Sequence, residues 1–380
     1  MVGTSSSTSY EPPFTRPIID CQRELEASYS TVPLAAGNLA HLRFNSTQLD
    51  SWEQSACRWE DMRHSGYFAG FENAEAAQTY AARSMCRHTA LDATNLEDVH
   101  ISFVGASVMR QMAIAALCQI SRLRRVVEDN STWSPMPNRR YGTCPSFERT
   151  TQPPLRHCAM TDGCVLFERN VRVCYDRFAT MCIAQWAITN SQPTFHLQPS
   201  NVTDLIGARM RVYPTAQHVL VIANGPHPKV MTCTTEMWTQ LAERWPSVQQ
   251  ALPRPLTVYY REFDGTHFPT RDGVYDASAN HSSPAWHCVL PEGVPKVRQF
   301  ELEHVVPIVR GLPRWHLLET FENDWRHAID LHSTYAKVAS HAVPVDCLHW
   351  VMPGVPDVWA HKLLHHFLSR RRIRRAPFSR

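Results

Sequence analysis

His100-Ile101-Ser102-Phe103-Val104-Gly105-Ala106-Ser107-Val108-Met109-Arg110 changes its period midway. His100–Val104 is a short apolar run of strand length, and Val108–Leu123 repeats its apolar residues at helical spacing. Gly105, Ala106 and Ser107 lie between them. A serine at a strand-to-helix turn is where α/β hydrolytic folds place a nucleophile. The same order of elements recurs downstream. Val219–Ile222 is wholly apolar, as a strand covered on both faces should be, and a helix is expected over Met237–Arg244. Leu256–Phe263 is rich in β-branched and aromatic residues, a helical segment is expected within Trp315–Ser333, and the last helix over Pro356–Ser369. Alternating strands and helices predict an α/β fold with a parallel sheet wrapped by helices. Reactive groups then belong at the carboxyl ends of strands, at a topological switch point. The stretch 126–215 is rich in Pro and Cys with little periodicity, and is expected to form insertions near the site.

A second block, Asp346-Cys347-Leu348-His349-Trp350, supplies what Ser107 needs. Asp and His three apart fall on one side of a single turn. The carboxylate can accept the imidazole Nδ1–H and leave Nε2 free as a base. Ser107, His349 and Asp346 are the expected catalytic triad. The Ser107 backbone N–H, at a helix N-terminus, is one candidate oxyanion donor, and the Asn224 side chain and the Gly225 N–H are others.

Composition narrows the function classes. A chain of 380 residues with 43% hydrophobic residues can bury a large core. A net charge of +3 implies no general attraction to nucleic acid. The arginines at 370, 371, 372, 374 and 375 read as a solvated tail. No run of 18 apolar residues is present. Twelve cysteines and Asn-x-Ser/Thr sequons at Asn45, Asn130, Asn201 and Asn280 favour an oxidising secretory lumen. The first residues, Met1–Ser7, lack the pattern of a secretory signal. His361 and His365 share a helix face, but no Glu holds the metalloprotease position between them, and no metal is expected. The organisation expected is a disordered tail over 1–18 and a minor lobe with Cys21, Cys57 and Cys86 over 19–97. A catalytic domain over 98–369 and a basic tail over 370–380 complete it.

The tail Asp346-Cys347-Leu348-His349-Trp350, with Pro353-Gly354-Val355-Pro356-Asp357-Val358-Trp359, resembles the closing block of the PC-esterase superfamily. Within it, the chain is most similar to the trichome birefringence-like polysaccharide O-acetyltransferases. Their nucleophile block reads Gly-Asp-Ser-Leu-x-Arg, with a Cys eleven residues after the Ser, and here Arg110 and Cys118 follow Ser107 at those spacings. Arg261 with His267-Phe268 matches a middle block, and Val219–Gly225 more loosely matches a strand ending in Asn-Thr-Gly-His. The blocks run in family order from about residue 98 to 368, and the first 97 residues match only faintly. Two departures stand out: Ala106 replaces the family's Asp, and Gln111-Met112 replaces Asn-Gln.

The resemblance implies a three-layer SGNH-hydrolase-like core with a central, mostly parallel sheet, plus a small Cys-containing N-terminal lobe. It implies an acetyltransferase acting on polysaccharide or oligosaccharide hydroxyls in the Golgi lumen, with no tightly bound cofactor. The acetyl donor, of unknown identity, or a membrane protein supplying it would be a partner. A carbohydrate O-acetyl esterase and an inactive glycan-binding relative are the alternatives. Arg110, Arg261, His267, Trp350 and Trp359 are the candidate substrate-binding residues. The resemblance also implies a disulfide at Cys347.

Overall fold

The computed structural model describes residues 91–375, apart from 92, 122, 130–162, 179–181, 189–200, 225–232, 264, 272, 274–275, 277–286, 291, 322–331, 333–335, 339–340, 344–346 and 351–353. The expected N-terminal tail, and the expected lobe as far as residue 90, lie outside these residues, as does Asp346. Leu96, at the lobe's expected end, is buried in the main core.

Seven strands form one mixed sheet in the order β2-β3-β4-β1-β5-β6-β7. They are β1 (Val99–Gly105), β2 (Val126–Asp129), β3 (Cys164–Phe167), β4 (Val171–Arg177), β5 (Gln217–Ile222), β6 (Thr257–Arg261) and β7 (Trp315–Leu318). The five strands β4, β1, β5, β6 and β7 run parallel. β2 and β3 add an antiparallel edge beside β4. A separate two-stranded ribbon pairs β8 (Ala336–Val338) with β9 (His341–Val343). Every residue of β1 is buried, as a central strand demands. The chain leaves β1 toward β4 on one side and returns to β5 on the other, so the strand order reverses at β1. That reversal creates a crevice at the carboxyl end of β1.

Helices cover both faces. On one face lie α1 (Ser107–Ser121) and, from the other end of the chain, the last helix, Val355–Arg375. Leu117, Ile120, Leu364 and Phe367 fill the space there with Ile101 and Phe103 of β1. The opposite face carries α2 (Ile183–Ile188), α3 (Val202–Val212) and α4 (Thr235–Ala251). There Trp186, Trp238 and Trp245 pack on Val104, Leu220 and Val258. Two short helices, α5 (Lys296–Phe300) and α6 (Val306–Gly311), flank a π-helical turn over Glu301–Val305, and the last helix is α7.

Several expectations need correction. Trp315–Leu318, at the start of the stretch Trp315–Ser333 where a helical segment had been expected, is a strand; Phe321 is helical, and residues 322–331 and 333 lie outside the described residues. The stretch 126–215 contributes β2, β3, β4, α2 and α3. It is therefore part of the core, whatever its undescribed residues add. α4 continues through Pro246 to Ala251 instead of ending at Arg244, because Trp238, Leu241 and Trp245 bury one continuous stripe. α7 extends to Arg375, so the basic residues begin on a helix rather than in a loose tail. Arg371 donates to the carbonyls of Asn95 and Glu97. The Asn201 side chain caps α3, accepting from the Asp204 N–H at 2.9 Å, and is only 5% exposed. It serves as a buried N-cap rather than as an open glycan acceptor. The other three sequons lie outside the described residues.

Three disulfides join Cys164 to Cys174, Cys182 to Cys233 and Cys288 to Cys347. Cys118 is disulfide-bonded as well. Such usage points to an oxidising, secreted or lumenal setting. Among the described residues no helix is long and apolar enough to cross a membrane.

Candidate active site

Ser107 opens α1 immediately after β1, so its amide lies at a helix N-terminus. The turn is tight. A Cβ on Gly105 would lie 2.8 Å from Met109 Cβ, which explains a glycine here. Ala106 is buried, and no carboxylate braces the turn from this position. Tyr175 of β4 does so instead, its hydroxyl 3.2 and 3.1 Å from the carbonyl oxygens of Gly105 and Ala106. Four described non-glycine residues have positive φ, namely Asp98, Arg169, Asn170 and Arg314. Ser107 is not among them, so the nucleophile turn carries no left-handed strain at the serine.

His349 arrives from 242 residues away, with Nε2 2.6 Å from Ser107 Oγ. That short contact between a hydroxyl and an imidazole is the geometry of a nucleophile and its base. Four fastenings hold the histidine's segment in place. Cys347 is bonded to Cys288. The Cys347 carbonyl accepts the His267 N–H at 3.0 Å. The His349 carbonyl lies 3.1 Å from His332 Nδ1, and a carbonyl can only accept, so Nδ1 carries the proton. The Trp350 peptide is held on both sides by Gln111, which donates to its carbonyl at 2.8 Å and accepts its N–H at 3.2 Å. Gln111 stands one turn after Ser107 on α1, so one helix carries the candidate nucleophile and a clamp on the segment of its candidate base.

His332 extends this support. Its Nε2 lies 2.5 Å from His267 Nδ1, and its ring stacks on Trp350 with centroids 4.0 Å apart. With His332 neutral, His267 donates to His332 and His332 donates to the His349 carbonyl. Two imidazoles thus end on the backbone of the third.

Arg261, His267, Trp350 and Trp359 were expected to contact substrate. All four are exposed by no more than 1%. The Arg261 guanidinium lies 4.5 Å over the Trp359 ring, and Trp350 meets Trp359 edge-on at 6.0 Å. A side chain so enclosed cannot stack on a sugar, so these four form the frame behind the histidine. Arg110 is half-buried one turn into α1.

Asn224 follows β5, and the register pairs Val104 with Ile222, so it lies one strand from the Ser107 turn at the same carboxyl end of the sheet. It is buried, and its Nδ2 donates to Tyr260 Oη at 3.1 Å. Gly225 lies outside the described residues. His361 and His365 stack at 6.3 Å along α7. Among the described residues one group, His100, Cys164 and Cys174, has metal-compatible spacing, and its two sulfurs are joined to each other.

Sequence reasoning missed Gln111, Tyr175 and His332 as site residues. Gln111 did carry a signal, a polar side chain on a largely apolar helix four residues after the serine. His332 carried none. Compared with known proteins, the chain matches no family model, no curated protein and no solved structure.

Proposed function

We propose that this protein transfers an acetyl group to a polysaccharide hydroxyl through an acyl-serine intermediate, on an SGNH-hydrolase-like core of the PC-esterase type. The observation that carries the reading is the 2.6 Å separation of His349 Nε2 and Ser107 Oγ across 242 residues. As Ser107 Oγ attacks the acetyl carbonyl, His349 Nε2 takes the hydroxyl proton. The carbonyl oxygen becomes an oxyanion, received by the Ser107 N–H and the Asn224 amide. Collapse breaks the bond to the donor's leaving group, which takes the proton from His349. A sugar hydroxyl then attacks the acetyl-serine, giving its proton to His349; collapse breaks the bond to Ser107 Oγ, which takes that proton from His349, and both groups return to their starting state. Asp346 is the residue proposed to accept the His349 Nδ1–H.

The acetyl donor would come from a carrier or a donor-supplying membrane protein. The Golgi lumen is the compartment that fits both the disulfides and an acetylated glycan product. The Tyr175 brace supports an active enzyme despite Ala106, since it holds the nucleophile turn by another route.

The test is incubation with an activated acetyl ester, with and without xylan-type oligosaccharide, read by mass spectrometry. Acetyl on Ser107 and then on sugar is the expected result. Acetyl on Ser107 with free acetate as the sole product would make the protein an esterase. Ser107→Ala and His349→Ala should each abolish turnover, and the double variant should lose no more than either alone. Turnover equal to wild type in Ser107→Ala refutes the mechanism. Glycan binding without any Ser107-dependent chemistry would make it an inactive binding relative.

A further inference from the structure

Behind Asn224 lies a buried polar chain that runs across the carboxyl ends of β5, β6 and β7. Tyr260 Oη is 3.1 Å from Asn224 Nδ2 and 2.6 Å from Glu301 Oε1. Glu301 also accepts the Phe263 N–H at 2.9 and 3.0 Å and is paired with Arg298 at 2.5 Å. Arg298 reaches on to Glu262 at 2.9 Å, and Glu262 accepts the N–H groups of Thr320 and Phe321 after β7. Tyr260, Glu262, Arg298 and Glu301 are all nearly inaccessible to solvent.

Proton counting gives this chain a direction. A tyrosine hydroxyl has one proton, and an ionised carboxylate can only accept. The Tyr260 proton therefore goes to Glu301, and Tyr260 must accept from Asn224. Burial, together with the Glu301 charge beside it, holds the phenol well above its ordinary range, so the proton stays in place. Burial pushes the Glu301 carboxyl up from its ordinary value, while Arg298 and the donors around it oppose that shift. Only one orientation of the Asn224 amide satisfies Tyr260, with Nδ2 toward it. In the flipped orientation two oxygens would face each other.

The geometry points to Tyr260 as a positioning residue. Held by Glu301, it fixes the Asn224 amide so that its second Nδ2–H serves as an oxyanion donor to the ester bound at Ser107. This rests on the acyl-serine reading above. Tyr260 touches no reacting atom and acts through Asn224 alone. No sequence motif marks it, because a tyrosine in a buried strand reads as ordinary core.

A double-mutant cycle tests it, with p-nitrophenyl acetate turnover and the rate of Ser107 phosphonylation by a fluorophosphonate, read by intact mass. Asn224→Ala should lower kcat by on the order of a hundredfold, the usual effect of losing one oxyanion donor. Tyr260→Phe should lower kcat roughly tenfold with KM nearly unchanged, and should slow phosphonylation in parallel. In the Asn224→Ala background Tyr260→Phe should have no further effect. A purely structural role would cost the same factor in both backgrounds, and that result overturns the inference, as does full activity of Tyr260→Phe. Glu301→Gln provides a second cycle with the same expected non-additivity should Tyr260→Phe fail to fold. Ser107→Ala separates the two claims. If it remains active, the acyl-serine reading falls. If it is inactive while the cycle is additive, only the role of Tyr260 falls.

Discussion

Replacing Gln111 with Met would release the clamp between α1 and the segment that carries His349. Methionine is close to glutamine in shape, so the helix and its packing should survive. What disappears is one donor and one acceptor, both spent on the Trp350 peptide. Gln111 and Trp350 are both fully buried, so water cannot take over the bonds. An orphaned buried polar group costs about 1–3 kcal/mol, and two are created. Local relaxation will recover part of that, which leaves a net loss of about 2–4 kcal/mol. For a domain of this size the unfolding midpoint should fall by on the order of 10 °C. The relaxation matters as much as the loss. Trp350 adjoins His349, whose Nε2 lies 2.6 Å from Ser107 Oγ, and a shift of about 1 Å can cost a hundredfold in rate. Thermal unfolding and the rate of Ser107 phosphonylation provide two independent readouts. A Gln111→Met protein with an unchanged midpoint and an unchanged labelling rate would refute the idea that this clamp holds the base.

Three other perturbations follow from the structure. Burial, reinforced by Arg209 and its cationic neighbours, holds the His100 imidazole well below its ordinary value of 6.5. Below pH 6.5 the unfolded chain therefore binds a proton at His100 that the native state refuses, and this one group should lower stability by up to about 1.4 kcal/mol per pH unit. Burial also holds His218, His365 and His366 low and adds to the slope, so His100→Leu should reduce the slope in denaturant titrations between pH 6.5 and 5 without abolishing it, and an unchanged slope would discount the histidine. Arg209→Met should destabilise by about 3–5 kcal/mol, because it strands Asp176, now held by two bonds of 2.8 Å in the interior. The Asp176→Leu, Arg209→Met pair should recover most of the loss in chemical denaturation, and equal losses would remove the pairing argument. The Cys288–Cys347 bridge closes a loop of 59 residues, so Cys288→Ala, Cys347→Ala should cost about 4 kcal/mol on chain entropy. Ser107 labelling should fall as well, since one fastening of the base is lost, and unaffected labelling would mean that the other three suffice.

The central strands were legible because burial on both faces leaves an uninterrupted apolar run, as in Val219–Ile222. β4 was hidden by its own chemistry. Its Arg172 lies under the Tyr213 ring and its Asp176 is neutralised by Arg209, so a buried strand carries charged residues and loses its apolar signature. Trp315–Leu318 is too short for its period to be read, and three apolar residues around His316 fit a helix as well as a strand. Ser107 and His349 were found through local blocks of sequence. Their support was not, because Gln111, His332 and Tyr260 are placed by tertiary contacts that leave no spacing pattern. The four residues expected to hold substrate illustrate the opposite error. Aromatic and cationic groups beside a candidate catalytic histidine can equally well be its scaffolding, and here enclosure decides for that role.

The 242 residues between Ser107 and His349 also order events in time. A ribosome adding roughly 5–20 residues per second delivers the base on the order of 10–50 s after the nucleophile. Throughout that interval the emerging chain holds a serine with no partner. β1 must meanwhile wait for β5, and α1 for α7, before either is covered. Sheets assembled from such distant segments fold slowly. On the acyl-serine proposal, the nascent protein should therefore be chemically silent until its last helix docks. A fluorophosphonate given to ribosome-stalled chains ending before residue 349 should leave Ser107 unlabelled, whereas released chains should react.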